Sequence, residues 1–284
     1  MAEICRTIDE LRNVQLRLRS AGLTSALVPT MGALHAGHLA LVNHAGTLAD
    51  RVIATIFVNP TQFAPGEDLD RYPRQEAQDV KALEGSSVEA VFIPSPDEMY
   101  GANDATKIVM EGPALGLEAD FRPHFFNGVA TVVSRLLLAA MSDVAVFGQK
   151  DYQQLLVIKR MVADLKIPVS IHGSPTIREA DGLALSSRNA YLSAPERKAA
   201  PQLHRALITC RDSILDDVPV AQALRTARGH LEEVGFRPDY VELRDAQTLS
   251  AAQGRPTDRP ARLLAAAWLG ETRLIDNIAV ETAS

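Results

Sequence analysis

The sequence predicts an α/β fold, a parallel sheet with helices on both faces over residues 1–175 and a smaller α+β domain over 176–284. Three observations carry this. Short apolar runs without polar alternation recur along the first two thirds, as in strands buried on both faces. Helical periodicity follows most of them. After about residue 175 the order changes to helices and then strands. A sheet of the first kind is Rossmann-like.

Residues Thr7 to Ala21 carry Ile8, Leu11, Val14, Leu18 and Ala21 at helical spacing. Ala26 to Pro29 form a short buried strand ending at proline. His35 to Leu48 is helical, with Leu39, Val42 and Ala45 on one side. Val52 to Val58 is β-branched and apolar and stops at Asn59-Pro60. Gln75 to Leu83 predicts a helix, and Ala90 to Ile93 a strand closed by Pro94. Gly128 to Met141 gives the clearest helical stripe, through Val129, Val132, Val133, Leu136, Leu137 and Ala140. Val144 to Phe147 and Val169 to His172 read as strands flanking a helix from Asp151 to Leu165. In the second region, Pro195 to Leu215 and Val220 to Val234 predict helices, and Asp239 to Leu243 a strand. Arg262 to Trp268 and Arg273 to Val280 predict a hairpin across Gly270-Glu271-Thr272. The polar stretch Ser250 to Arg262, with two prolines, predicts an exposed loop.

Composition narrows the function. The chain has 284 residues, with 29 Lys plus Arg against 35 Asp plus Glu and a formal charge of −6. That balance gives no overall attraction to nucleic acid or an anionic membrane. The longest apolar run, the seven residues Leu263 to Leu269, is far short of the roughly 20 needed to span a bilayer. Glu3, Arg6, Asp9 and Glu10 stand where a signal peptide would be apolar, so a cytoplasmic location is expected. Cys5 and Cys210 are too few for a disulfide framework or a zinc site and predict small buried hydrophobes.

No G-x-G-x-x-G, P-loop, G-x-S-x-G or H-E-x-x-H string occurs. A parallel sheet here must bind its ligand by another device. The stretch Pro29-Thr30-Met31-Gly32-Ala33-Leu34-His35-Ala36-Gly37-His38 lies between the first buried strand and the next helix, where such sheets place ligands. Gly32 and Gly37 admit close backbone approach. His35 and His38, three apart, are expected in the first helical turn with both rings on one face. Free backbone N–H groups and the helix dipole there attract anions, and two imidazoles add donors. The H-x-G-H spacing in this context points to nucleotidyl transfer.

Other strings have their own chemistry. Gln62 places an amide, donor and acceptor at once, at a strand end. Gly148-Gln149-Lys150-Asp151 sits between a strand and a helix, with a cation for phosphate and a carboxylate for ribose hydroxyls or for capping. Ser186, Ser187 and Arg188 offer two hydroxyls and a guanidinium, a set that fits a triphosphate or an exposed turn.

H-x-G-H after a first strand marks the nucleotidyltransferase superfamily that includes class I aminoacyl-tRNA synthetases. Over nearly the whole chain the sequence resembles the pantoate–β-alanine ligase family. The resemblance runs through Ile56 to Phe63, Arg71-Tyr72-Pro73-Arg74, Phe147 to Gln154, Asp181 to Asn189, Ala267 to Gly270 and Arg273-Leu274-Ile275-Asp276-Asn277. It implies ATP-dependent condensation of (R)-pantoate with β-alanine through a pantoyl adenylate, releasing AMP and pyrophosphate. His38, His35, Lys150 and Arg188 are the expected catalytic charge stabilisers. Met31, Gly32, Gly37, Gly148, Gln149, Asp151, Ile177, Leu185, Ser186 and Ser187 complete the expected ATP site. Gln62 and Gln154 are expected on pantoate and β-alanine, and Ser186 to Arg188 correspond to the mobile loop that closes over ATP. Arg122 matches a residue near the phosphates. Mg²⁺ is expected with ATP and without direct side-chain ligation, Asp79 being a candidate water-mediated contact. A homodimer is implied, with no nucleic-acid or membrane partner.

Two positions depart from the family pattern. Gln149 stands where Glu is usual. His124 and Phe125 stand where Gly and His are usual in Arg122-Pro123-His124-Phe125-Phe126-Asn127-Gly128-Val129. Two alternatives stay open at this level: another H-x-G-H transferase whose product keeps the nucleotide, and a nucleotide-binding regulator with a degenerate site.

Overall fold

A computed structural model of the chain describes residues 2–63, 69, 71–252, 254 and 259–281. The first sheet has six strands, β1 (Glu3–Cys5), β2 (Ser25–Thr30), β3 (Arg51–Ile56), β4 (Val88–Phe92), β5 (Val144–Gly148) and β6 (Ser170–Ser174). All its pairings are parallel, in the spatial order β1-β4-β3-β2-β5-β6. The helices of this region are α1 (Ile8–Ser20), α2 (Ala36–Leu48), α3 (Glu76–Ala82), α4 (Pro96–Met99), α5 (Glu118–Phe121), α6 (Phe125–Ala140) and α7 (Tyr152–Leu165).

Period-two alternation sends each strand's side chains to two separate cores. Leu27, Ile53 and Phe92 pack with α1, α6 and α7, through residues such as Leu11, Val133 and Ile158. Ala26, Val28, Val52 and Val146 pack with Val42 and Ala45 of α2 on the other face. Both faces are thus covered, as the unalternating apolar strands predict. Strand order reverses between β2 and β5, which opens a crevice beyond their carboxyl ends, the switch point where open α/β sheets bind ligands.

The C-terminal domain contains α8 (Ala194–Ala199), α9 (Gln202–Leu215), α10 (Val220–Glu233) and an antiparallel sheet of β7 (Phe236–Asp245), β8 (Ala261–Leu269) and β9 (Thr272–Val280). Its core joins Leu207, Ile214 and Leu231 of the helices to Leu263, Ala265 and Ala267 of β8. Gly270, at φ +57°, makes the tight β8–β9 connection. No described helix is long and apolar enough to cross a membrane.

The structure corrects several elements. The expected helix from Pro195 to Leu215 is two helices, because Pro201 lacks an N–H and its ring obstructs a continuous turn. The helix expected from Gly128 begins three residues earlier, at Phe125. β1 is absent from the sequence reading; three residues with only Cys5 buried give no period to detect. Of the expected loop Ser250 to Arg262, Ala261 and Arg262 belong to β8, while residues 253 and 255–258 lie outside the described residues. Cys5 and Cys210 are buried and free, and burial pushes both thiols up to about 11.

Candidate active site

The site begins with a turn that β2 cannot continue. Gly32 and Ala33 both take positive φ, 81° and 51°, turning the chain from strand into helix. Asp79 of α3 holds that turn: its two carboxylate oxygens accept from Ala33 N–H at 2.9 Å and Leu34 N–H at 2.8 Å. A Cβ on Gly32 would stand 2.8 Å from Asp79 Oδ2, so the glycine makes room for the carboxylate. Asp79 is 1% exposed and does not line the cavity. The Asp79 carboxylate thus fastens the backbone of the histidine-bearing turn.

His35 is the N-cap of α2 and not a residue of its first turn. Its Nδ1 accepts from Gly37 N–H at 3.1 Å, and His38 Nδ1 accepts from His35 N–H at 3.3 Å. The ring centroids are 4.1 Å apart. A Cβ at Gly37 would meet the His35 ring at 2.8 Å, which explains the glycine between the two histidines. The expected free backbone donor at Gly37 is already taken. Because each Nδ1 is an acceptor, hydrogen-bond assignment puts each proton on Nε2. The helix tip thus exchanges two backbone N–H groups for two imidazole N–H donors. Burial, with the charges of His35 and Lys150 nearby, lowers the His38 pKa to about 3. Burial and then Lys150 lower that of His35 as well. Both rings are neutral donors at pH 7 in the unliganded protein.

Across the crevice, the 3-10 turn Gln149–Asp151 follows β5 and carries Lys150, whose Nζ is 3.8 Å from Asp151 Oδ1. The turn is held by the other domain. Asn277 of β9 donates through Nδ2 to the Gln149 carbonyl at 3.0 Å and the Lys150 carbonyl at 2.7 Å. Gln149 itself does not line the cavity, and neither does Gly32. The unusual Gln149 thus meets Asn277 through its carbonyl, an atom that a glutamate would also supply.

The glutamine end is as closely specified. Gln62 ends the short 3-10 turn Pro60–Gln62, capped by Asn59. Its Oε1 accepts from Asn59 Nδ2 at 3.1 Å and its Nε2 contacts Met31 Sδ at 2.9 Å. Asn59 Oδ1 is in turn fixed by Tyr100 Oη at 2.6 Å. Helix α6 presses on this turn: a Cβ on Gly128 would lie 2.5 Å from the Thr61 carbonyl oxygen. Gln153 and Gln154 of α7 both line the same cavity; the Gln153 amide is buried, accepting from Glu118 N–H and donating to the Pro113 and Gly116 carbonyls. Arg122 donates to the Gln62 carbonyl at 3.2 Å and lies 3.9 Å over the Phe125 ring. Phe125, where the family has histidine, is thus a stacking surface on the cavity wall. His124, where it has glycine, is exposed with helical backbone that needs no glycine.

Ser186, Ser187, Arg188, Ile177 and Leu185 line the cavity from the C-terminal side. Ser186 Oγ accepts from Arg188 N–H at 3.3 Å and caps the 3-10 helix Ser187–Tyr191. The expected residues Met31, His35, Gly37, His38, Gln62, Gly148, Lys150, Asp151 and Gln154 share that same cavity of about 940 Å³, room for a nucleotide and a second substrate together. Among the described residues no cluster of three or more His, Cys, Asp or Glu side chains could hold a metal ion.

Some wall residues escaped the sequence reading. Glu118 of α5 receives two 2.8 Å bonds from Arg273 Nη1 of β9 and one from the Tyr240 hydroxyl at 3.0 Å. Arg273 Nε also donates to Asp239 at 2.7 Å. Burial and Glu118 push the Tyr240 phenol well up, so it stays a donor. Thr176 keeps a buried hydroxyl with no protein partner among the described residues. These groups are far apart in sequence, and only the placement of Arg273 and Asn277 in one quoted string hinted at them.

Comparison with known proteins agrees with this architecture. The family model described as pantoate-beta-alanine ligase matches residues 3–279. Pantothenate synthetases of Caulobacter vibrioides and Rhodospirillum rubrum are each 51% identical, with 98% of both chains covered. The crystal structure of pantothenate synthetase from Thermus thermophilus superposes with a TM-score of 0.90 at 46% identity, covering 98% of this chain and 99% of that one. A pantoate-beta-alanine ligase from Francisella tularensis, solved as a complex with beta-gamma ATP and beta-alanine, gives 0.82 at 31% identity, covering 100% and 99%. A sheet whose switch point gathers two capped histidines, a lysine turn and two glutamines, matched end to end by these relatives, leaves one assignment: the chain belongs to the pantoate–β-alanine ligase family.

Proposed function

We propose that the gathered residues perform the family's ATP-dependent ligation of pantoate and β-alanine in two steps within this one cavity. A carboxylate is a poor electrophile. Attack of a pantoate carboxylate oxygen on the α-phosphorus of ATP forms a P–O bond, breaks the bond to pyrophosphate, and gives a mixed anhydride. The β-alanine amine then attacks the acyl carbon, AMP leaves with the bonding electrons, and the amine's surplus proton goes to solvent. The chain's task is orientation and charge stabilisation. His35 and His38 present Nε2–H donors to the phosphates. Lys150, Ser186, Ser187 and Arg188 supply the remaining donors and positive charge, and Asp151 serves the ribose hydroxyls. Gly37 and Gly148 admit the nucleotide closely, with Met31, Ile177 and Leu185 as wall. Gln62 and Gln154 take the hydroxy acid.

Magnesium enters this reading as the ion that accompanies ATP and neutralises its phosphates. The family resemblance further supports a homodimer acting in the cytoplasm, with light scattering as the test of assembly. One observation carries the reading: four separate segments, 31–38, 62, 148–154 and 185–188, converge on one cavity at the switch point. The test is isotope exchange of labelled pyrophosphate into ATP. Exchange is expected with pantoate alone; exchange that strictly requires β-alanine would remove the separate adenylate.

A further inference from the structure

Lys150 faces the cavity, yet the turn that carries it is tied to the opposite domain. Asn277 is 3% exposed, and its amide reaches both carbonyls of that turn, Gln149 and Lys150. The amide cannot flip. Arg262 Nε donates to Asn277 Oδ1 at 2.6 Å, and a guanidinium only donates, so Oδ1 must face it and the NH₂ must face the carbonyls. Arg262 is itself stacked 3.9 Å over Tyr152, the first residue of α7 directly after the turn. Asn277 N–H donates to Asp276 Oδ1 at 2.7 Å, and Asp276 takes two bonds from Arg178, at 2.6 and 2.9 Å. Every polar group around the amide is thereby assigned a direction, and only asparagine meets all of them.

Other contacts already join the domains without touching this turn. Glu118 binds Arg273, and the Tyr152 hydroxyl donates to the Ala246 carbonyl at 2.7 Å. What Asn277 adds is specific to the backbone under Lys150.

We infer that Asn277 is a positioning residue for adenylate formation: from the C-terminal domain it sets the turn that aims Lys150 at the phosphates, so this cation is in place only while the two domains are apposed. The inference rests on the reading of Lys150 as a phosphate-facing cation. A misplacement of about 1 Å at such a group is enough to cost around a hundredfold in rate.

The test is a double-mutant cycle on the full chain. Asn277→Asp keeps shape and the acceptor for Arg262 but turns both donors into acceptors; Asn277→Leu removes them without adding charge. Thermal melting, pantoate affinity and single-turnover adenylate formation are measured for each, alone and combined with Lys150→Ala. Either Asn277 variant that folds should lose adenylation by about tenfold or more and keep pantoate affinity within about twofold, while changing the rate by less than about twofold once Lys150 is Ala. Losses that multiply in the Lys150→Ala background would overturn the inference, because Asn277 would then act independently of the lysine. Unchanged adenylation in a folded variant would overturn it, as would failure of both variants to fold. If Lys150→Ala itself left adenylation intact, the reading of Lys150 would fall first, and the two failures are thus told apart.

Discussion

The two walls of the crevice are built by opposite strategies. The histidine wall is local: Gly32 to His38 is one continuous stretch, its rings accept from backbone N–H groups within three residues, and Asp79 fastens the turn from the same domain. The lysine wall is remote. Its turn lacks a side-chain cap of its own and takes its restraint from Asn277 and, beyond it, Arg262. The restraints of the local wall all lie within one domain, and the restraint of the remote wall crosses from the other. One half of the phosphate site is thus restrained from within its own domain and the other half from across the crevice.

The largest expected effect breaks the local wall. His38→Ala should fold normally and bind ATP within roughly tenfold, while single-turnover adenylate formation falls by at least ~10²-fold, the usual cost of one preorganised donor. Aminolysis of supplied pantoyl adenylate should suffer much less. Normal adenylation by the folded variant would reduce the histidine to a capping role.

A smaller effect separates substrate selection from both walls. Gln62→Ala and Gln154→Ala should each weaken pantoate binding by roughly 1–3 kcal/mol, the cost of leaving a polar group unpaired. Calorimetry with ATP should show little change. Collapse of ATP affinity with pantoate affinity intact would move these glutamines to the nucleotide.

The smallest expected effect is an absence of titration. With His38 lowered to about 3 and held at Nδ1 by a backbone donor, kcat/KM for adenylation, which reports the free enzyme, should show no inflection from His38 between about pH 5 and 8, so the His35→Ala variant should have a flat profile there. The sign for stability runs the other way from a salt-bridged histidine. Between the ordinary value of 6.5 and about 3 the unfolded chain binds a proton that the folded one refuses, so His38 favours folding above that window and its contribution is lost as pH falls through it. A rate that rose on acidification through pH 6.5 would mean that a charged imidazole is the working form.

How much of this was legible in the sequence follows the same division. The parallel sheet was readable because strands covered on both faces lose their polar alternation. The H-x-G-H turn was readable because its chemistry lies within ten consecutive residues. Gln154 needed the family resemblance: its neighbour Gln153 is the same residue type one helical step, about 100°, away, and only the fold shows that the Gln153 amide is spent on Glu118, Pro113 and Gly116. The hold of Asp79 on the histidine turn was not legible, because its partners Ala33 and Leu34 lie more than forty positions upstream. Glu118 left no mark in the sequence, and Asn277 entered only as part of a string of the resemblance, without its role. Their partners are set by how two domains meet, which leaves no period or spacing in the chain.

The ties between the domains also carry unequal chain-entropy costs. Asn277 and Lys150 are separated by 127 positions, and Glu118 and Arg273 by 155. Bringing such distant segments together costs chain entropy before any contact is gained, and topologies rich in such pairs fold slowly. The histidine turn asks for nothing beyond its own βαβ neighbourhood and Asp79. The chain-entropy cost of assembling the crevice therefore falls on the lysine and its distant partner Asn277, while the imidazoles are set by neighbours within a few residues.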